Sequence, residues 1–342
     1  MKKRVISGMV ILLLVIMAAG GGYLYALFFL PNVQKTGKLY IPSNAGYAQV
    51  IDSLKPFLKN ESRFRTAANI KKYAAQIHPG RYTLAKGMGN NALVNLLRSG
   101  KQDAIAIRIG NYSTIYELAG RVAPLLECDS QEIVAGILSA DFAQGIDSDA
   151  LLYFFVPNTY NFHWNLSGTG FVRKMKGYFD QFWNADRLSS ARAEGMSPLQ
   201  VTILASIVQL ESTRPDEQPK VARLYLNRLK AGMKLDADPT VIFAMKRSYG
   251  RSIKINRVYY KNLLIPSPYN TYMHKGLPPG PICMPNASAI DAVLHPADHD
   301  FLYFVADPSR PGYHIFAHTL SEQERNARQY RQWIDSVEIE SK

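Results

Sequence analysis

The residues best suited to chemistry lie in one helix-spaced run and in the loops downstream of it. Ile203-Leu204-Ala205-Ser206-Ile207-Val208-Gln209-Leu210-Glu211-Ser212 is mostly apolar, and its last turn bears one carboxylate. Leu204, Val208 and Glu211 stand at i, i+4 and i+7, so a helix sets them on one face, with Ile203, Ile207 and Leu210 as an adjacent apolar stripe. Ser197 can cap the start, and Pro198 suits a first helical position that needs no N–H donor. Pro215 ends the run. Burial and the negative end of the helix dipole both disfavour an anion at Glu211. Both hold its carboxyl protonated towards neutral pH, the state a general acid needs. The plain alternative is a solvated glutamate in the last turn of a helix.

Two later segments offer groups suited to sugars. Ser267-Pro268-Tyr269-Asn270-Thr271-Tyr272 supplies aromatic, amide and hydroxyl side chains on a proline-stiffened loop, and Gly276-Leu277-Pro278-Pro279-Gly280-Pro281 is a second such loop. Flat aromatic faces pack on C–H surfaces, and amides pair with hydroxyls. Beside a helix carboxyl, these groups point to acid-catalysed cleavage of a glycosidic bond. An ordinary glycosidase flanks that bond with two carboxylates. Leu235-Asp236-Ala237-Asp238-Pro239-Thr240 holds the acidic pair that could supply the second. Asp236 reads as a turn residue. Asp238 is the functional candidate, although Asp before Pro at a helix start also reads as a cap.

Other chemistries rank lower. His295-Pro296-Ala297-Asp298-His299 has metal-capable types, but its proline breaks helical presentation, so no metal and no cofactor is expected. Neither a Gly-x-Ser-x-Gly elbow nor a Walker loop is present. Cys283 near His274 could be a thiol nucleophile, but it reads more simply as a small buried residue. The sequence leaves open whether Cys128 and Cys283 pair.

The elements that must position these groups read as an α+β chain of 342 residues, 47% hydrophobic. Residues 1–34 form a basic tip and an apolar segment. Val5 to Leu30 is uncharged and long enough to span a bilayer core, with Tyr23, Tyr25, Phe28 and Phe29 as an interface belt. An uncleaved single-pass anchor with a cytoplasmic N-terminus is expected over a cleaved signal peptide, because the run exceeds a signal h-region. The rest of the chain then lies outside the cytoplasm. That topology, and the absence of a nucleic-acid fingerprint, turns the formal charge of +13 towards anionic lipid or wall polymer and away from nucleic acid.

Residues 35–150 read as a small membrane-proximal α+β region. Strands are expected at 37–42, 79–84 and 104–109, and helices at 47–58, 69–77, 112–126 and 129–139. Another helix is expected at 90–100, with an asparagine cap and a closing glycine. Residues 151–337 read as a mixed α/β catalytic domain. It comprises a buried strand and turn at 151–160, a helix at 170–183 and a polar connector at 187–195. The Glu211 helix follows, then a helix at 216–230 with an apolar stripe of Val221, Leu224, Tyr225 and Leu229, from which Asn227 and Arg228 project. A short helix from 241, a core strand at 301–305 with its partner at 314–316, and a closing helix at 322–337 complete the domain.

Ala205-Ser206-Ile207-Val208-Gln209-Leu210-Glu211, Asn227-Arg228-Leu229, Asp238-Pro239-Thr240-Val241, Tyr269-Asn270-Thr271-Tyr272, Gly276-Leu277-Pro278-Pro279-Gly280-Pro281 and Tyr303-Phe304-Val305-Ala306 stand in an order and spacing that resembles the YceG-like family of endolytic murein transglycosylases. The resemblance is strongest over 150–330. Gly80-Arg81-Tyr82 and the helix through Gly100 are similar to that family's LysM-like subdomain.

The resemblance implies a bacterial inner-membrane enzyme that cuts peptidoglycan glycan strands internally. It leaves 1,6-anhydro-N-acetylmuramic ends, limits strand growth and associates with wall-synthesis enzymes. It carries the catalytic role onto Glu211. Substrate contact falls to Gln209, Asn227, Asp238, Tyr269, Asn270, Thr271, Tyr272, Pro279 and Gly280. One carboxyl suffices because it acts first as acid and then as base. Gln209 replaces a frequent second Glu. Leu152, Asn158 and Gln323 also depart from the family pattern. The rival readings are a muramidase using a second carboxylate and a non-catalytic wall-binding scaffold.

Overall fold

The computed structural model describes residues 2–148, 150–255 and 257–340, with side chains from 6 to 335. The side chains of the basic tip, Lys2 to Arg4, lie outside the described residues. The chain packs into two units. The first comprises 1–106, 124–128 and 161–167, and the second 107–123, 129–160 and 168–342.

The first unit opens with α1 (Lys2–Phe29). Its 24-residue stretch Ile6–Phe29 is long and apolar enough to cross a membrane, and it is almost wholly exposed. At 1.5 Å per residue it spans about 36 Å, against roughly 30 Å for a hydrocarbon core. The base of α1 is held by the rest of the unit. Asn90 Nδ2 donates to Leu27 O at 2.8 Å, and Arg63 donates to Ala26 O.

β1 (Gly37–Ile41) pairs antiparallel with β2 (Gly80–Leu84), Leu39 opposite Tyr82. The two-residue period turns Leu39, Ile41, Tyr82 and Leu84 inward. They meet apolar side chains from α2 (Tyr47–Leu54), α3 (Glu61–Ile70) and α4 (Asn90–Ser99) in one core. Three local expectations change. α2 gives way to a 3-10 turn at Lys55–Phe57, where Pro56 sits. The helix expected at 69–77 lies earlier, as α3, because the Asn60 side chain accepts from Arg63 N and starts it. Gly89 takes the cap position of α4, so Asn90 is not the cap.

Asn90 instead joins a buried amide network. Asn32 Nδ2 donates to Asn90 Oδ1 at 2.8 Å and to Asn60 O at 2.9 Å, and Asn60 N donates to Asn32 Oδ1 at 2.9 Å. Gly100 closes α4 at φ +64°, as the sequence suggests. β3 (Ala104–Ile109) pairs with β4 (Asn158–His163).

The second unit is mostly helical. α5 (Ile115–Val122) and α6 (Ser130–Leu138) precede α7 (Gly168–Phe182). α6 and α7 touch through glycine, since a Cβ on Gly168 would lie 2.1 Å from Glu132 O. α8 (Ala185–Ala193), α9 (Pro198–Glu211), α10 (Gln218–Lys230), α11 (Asp238–Tyr249) and α12 (Ala287–Leu294) follow. α9 lies in their midst, packed on α8, α10, α11 and α12. β5 (Tyr303–Ala306) pairs antiparallel with β6 (His314–Ala317), and α13 (Leu320–Glu340) packs on both.

The structure corrects three readings in this unit. Where a buried strand and then a turn are expected over 151–160, the structure has a 3-10 turn at Ala150–Phe154, held by aromatic packing of Tyr153 and Phe154 on Phe179, and then the start of β4. The connector at 187–195 is largely α8, started by the Asn184 side chain, which accepts from Arg187 N. β5 is half-buried, not a core strand: α13 packs on this short ribbon, and from α10 only the Tyr225 ring and the Arg228 guanidinium are seen to reach the Phe304 and Tyr303 rings among the described residues.

Asn32→Ala should destabilise the first unit by about 1–3 kcal/mol, because it leaves the buried Asn90 amide oxygen and the part-buried Asn60 backbone groups without their partners. Urea unfolding of the detergent-solubilised protein checks this, and an unchanged midpoint would show that the network does not hold the unit together.

Candidate active site

α9 is built as its sequence suggests at both ends. The Ser197 side chain accepts from Gln200 N, the Gln200 side chain returns to Ser197 N, and Pro198 fills the first turn. Val201 to Val208 are all buried, so the helix is surrounded on every side and not merely along one stripe. Leu210, expected in that stripe, is 45% exposed. Glu211 therefore ends a core helix where the packing opens, and its side chain keeps partial access to solvent.

Glu211 Oε1 accepts a hydrogen bond from Tyr225 Oη at 2.9 Å. Tyr225, on α10, is 1% exposed. Burial raises the Glu211 carboxyl from near 4.5 to about 7, and the negative charge of Asp238 adds to the rise. The Tyr225 hydrogen bond and the Arg228 guanidinium act the other way. Tyr225 is itself pushed well above its ordinary range by burial, so it stays a donor.

A second phenol–carboxylate pair stands nearby. Tyr272 Oη donates to Asp238 Oδ1 at 2.8 Å, at the first residue of α11. Asp238 is exposed, unlike Glu211. Burial, then the hydrogen bond to Asp238, pushes the Tyr272 phenol up. The two pairs give the arrangement a proton donor active near neutrality and a separate anionic oxygen site.

Several candidates support this arrangement through backbone contacts. Asn270 is fully buried; its Nδ2 donates to Leu263 O and Ile265 O, and its Oδ1 accepts from Tyr272 N at 3.0 Å. Thr271 Oγ1 accepts from Ala237 N at 3.0 Å and lies 2.9 Å from Thr240 Oγ1. These two residues tie the Tyr272 loop to the start of α11. Tyr269 is buried with its ring 4.6 Å from that of Phe243. Gly280 passes so close that an added Cβ would lie 3.0 Å from Tyr269 Oη, while Pro279 beside it is exposed.

Gln209 Oε1 accepts from Asn286 N at 2.6 Å, and its Nε2 donates to Met284 O at 3.5 Å, so its amide pins the loop before α12. Asn227 Nδ2 donates to His299 O and Phe301 O. It also lines a groove of about 840 Å³ with Gly276, Leu277 and Pro278. The fold thus brings Glu211, Asp238 and Tyr272 together, and engages Gln209, Asn227, Asn270 and Thr271 with backbone.

Two contributions escape a reading by sequence pattern. Tyr225 reads as one member of an apolar stripe, although a buried tyrosine needs a partner for its hydroxyl. Glu217, 3% exposed, accepts from Ser212 Oγ at 2.8 Å and from His314 N at 2.7 Å. Its Oε2 also lies 2.9 Å from His314 Nδ1. It fastens the residue after Glu211 to β6, a contact separated in sequence by too much for any local signal. Burial raises the Cys283 thiol to about 12, which makes it a poor nucleophile. Cys283 and Cys128 are not joined to each other. Among the described residues, no group of three or more His, Cys, Asp or Glu side chains could hold a metal ion.

An α+β molecule with one long apolar helix, and a proton-holding glutamate at the end of a buried helix, is the class that fold and site define. The chain belongs to the YceG-like family, whose model matches residues 39–329. It is 29% identical over 333 residues to the endolytic murein transglycosylase of Bacillus subtilis (strain 168), covering 90% of this chain and 89% of that one. It is 24% identical over 364 residues to the endolytic murein transglycosylase of Streptococcus pneumoniae serotype 2, covering 96% of this chain and 65% of that one. The crystal structure of a YceG-like protein from Listeria monocytogenes shares the fold. Its TM-score is 0.53 at 24% identity, over 85% of this chain and 98% of that one.

Two outcomes follow from the carboxyl's surroundings. In Tyr225→Phe the titration of Glu211 should move upward from about 7 by about one unit, since a hydrogen bond to the anion is lost. Carbon-13 NMR of labelled glutamate would read it, and an unmoved titration would remove Tyr225 from the proton's energetics. The second outcome concerns stability. Between about 4.5 and 7 the folded state holds a proton that the unfolded state has released, so stability falls as pH rises through that window. Glu211→Gln lacks this proton. Its stability should gain on the wild type across the window, by on the order of 1–3 kcal/mol given the partial solvent access, and then level off. Parallel pH–stability curves for the two proteins would contradict it.

Proposed function

We propose that this protein is a membrane-anchored endolytic murein transglycosylase, cutting N-acetylmuramic acid to N-acetylglucosamine bonds within peptidoglycan glycan strands. The observation that carries the reading is the Glu211 carboxyl, held near pKa 7 in a member of the YceG-like family. A carboxyl with that affinity can give and retake one proton at neutral pH.

Protonated Glu211 donates to the glycosidic oxygen as the bond from C1 to that oxygen breaks. The sugar's own C6 hydroxyl oxygen then attacks C1, and Glu211, now a carboxylate, takes the hydroxyl proton. The result is a 1,6-anhydro ring with no water consumed and Glu211 returned to its starting state. Asp238, with Tyr272 donating to it, faces the positive charge that develops at C1. Asn227 and Pro279 border the glycan path, and Gln209, Tyr269, Asn270, Thr271 and Gly280 shape it from behind by holding its loops.

The apolar stretch of α1 anchors the protein in the inner membrane, with the N-terminus cytoplasmic and both units outside. The β1–β2 unit serves as a LysM-like wall-binding module. The excess of basic residues favours the anionic wall, and cleavage limits growing strands beside peptidoglycan synthases. A hydrolytic reading survives on one observation: Asp238 is close enough to Glu211 to add to the rise in its pKa, and it could instead serve as base for a water.

Full-length protein in detergent, incubated with murein glycan strands, should release anhydro-ended fragments, each one water lighter than its reducing-ended counterpart. Glu211→Gln should lose about 10²–10⁴-fold in rate. Water-added ends by mass spectrometry would favour a muramidase working through Asp238, and full activity in Glu211→Gln would remove Glu211 from the reaction.

A further inference from the structure

One face of α11 runs from the carboxylates into an unassigned cavity. Pro239, Phe243 and Lys246 stand at i, i+4 and i+7 and line a cavity of about 110 Å³. Leu210 lines it from α9. The cavity is therefore bordered by the residue before Glu211 and by the residue after Asp238. From Asp238 to Lys246 the helix advances roughly 12 Å. The volume admits one residue or the end of a longer substituent and not a sugar chain.

The lining combines apolar side chains and two cations with the neutral polar residues Asn111, Tyr112 and Ser113. Leu210, Pro239 and Phe243 provide hydrocarbon, Lys246 and Arg251 provide charge, and no carboxylate lines the cavity. Arg251 is engaged by the protein, donating to Ser113 O at 2.8 Å. The Lys246 side chain is half-buried and its ammonium makes no hydrogen bond or ion pair with a described residue. A partly desolvated ammonium with no protein acceptor is matched by an anion supplied from outside.

We propose that this cavity is a subsite for the peptide branch that murein carries on its muramic acid residues. Lys246 takes a carboxylate of that branch, and Leu210, Pro239 and Phe243 hold its methyl and methylene groups. The choice of ligand rests on the transglycosylase reading. The cavity's preference for an anionic, apolar-bodied substituent rests on its lining. The enzyme then distinguishes strands that bear stems from strands that have lost them, because the stem is bound one residue away from each carboxylate.

Binding tests this independently of cleavage. Full-length Glu211→Gln in detergent should bind a stem-bearing murein oligosaccharide about tenfold more tightly than the same saccharide after amidase has removed its stems. Adding Lys246→Ala should erase that difference. Adding Lys254→Ala, at an exposed position of the same basic stretch, should leave it intact. In otherwise wild-type protein, Lys246→Ala should lower kcat/KM about tenfold on stem-bearing strands and leave bare strands unaffected. Equal affinity of Glu211→Gln for both saccharides, or a preference that survives Lys246→Ala, would overturn the proposal. A preserved binding preference in a protein that yields no anhydro ends would instead overturn the transglycosylase reading and leave the cavity assignment standing.

Discussion

The hydrogen bond from Tyr225 to Glu211 stands at the end of a helix, α9, that is enclosed along its length. A carboxyl raised to about 7 needs an environment that resists charge, and one stripe of apolar contacts would not provide it. Four helices pack around α9, and the unbroken burial from Val201 to Val208 is the local result. α10 contributes the phenol, α11 contributes Asp238, and the Glu217 carboxylate fixes the turn that follows Glu211. Neither the ionisation of Glu211 nor the direction of its side chain is a property of its own helix alone.

The two phenol–carboxylate pairs show how one motif can serve unlike purposes. Tyr225 is buried and its partner Glu211 is mostly removed from water, so the pair favours holding a proton. Tyr272 reaches an exposed Asp238 at the first residue of α11. Environments that differ in this way separate the roles of two acids in one site. The loop carrying Tyr272 owes its position to Asn270 and Thr271, whose side chains are engaged by backbone and by Thr240. Such residues act on chemistry through geometry without contacting a substrate.

What the sequence makes legible follows the range of the forces involved. β1 and β2 pair across some forty residues that no local signal spans, whereas the start of α9 and the glycine at the end of α4 are local in cause, a cap and a positive φ, and β5 pairs with a strand close to it in sequence. Glu211 as a proton-holding carboxyl is legible for the same reason, since an apolar helix surrounds it in sequence before it does so in space. The 3-10 turn at Ala150–Phe154 is not, because a run of five apolar residues satisfies a strand and a packed turn equally well, and Phe179 decides between them. α8 is polar enough to pass for a connector, and only its Asn184 cap marks it. Loop polarity predicts a sugar-facing Asn270 and Thr271, yet tertiary contacts turn both inward.

Gln209 shows why the site settles on one strongly held proton. Its amide accepts from Asn286 N and donates to Met284 O, and a bridge of that kind needs an acceptor and a donor on one side chain. A carboxylate there could accept from Asn286 but could not donate to Met284. It would also add a negative charge within two residues of Glu211, raising further a carboxyl that Asp238 already raises. The neutral amide holds the loop and leaves the affinity of Glu211 to burial, Tyr225 and Asp238. That balance keeps the carboxyl near 7, where loss and recovery of a proton are both accessible.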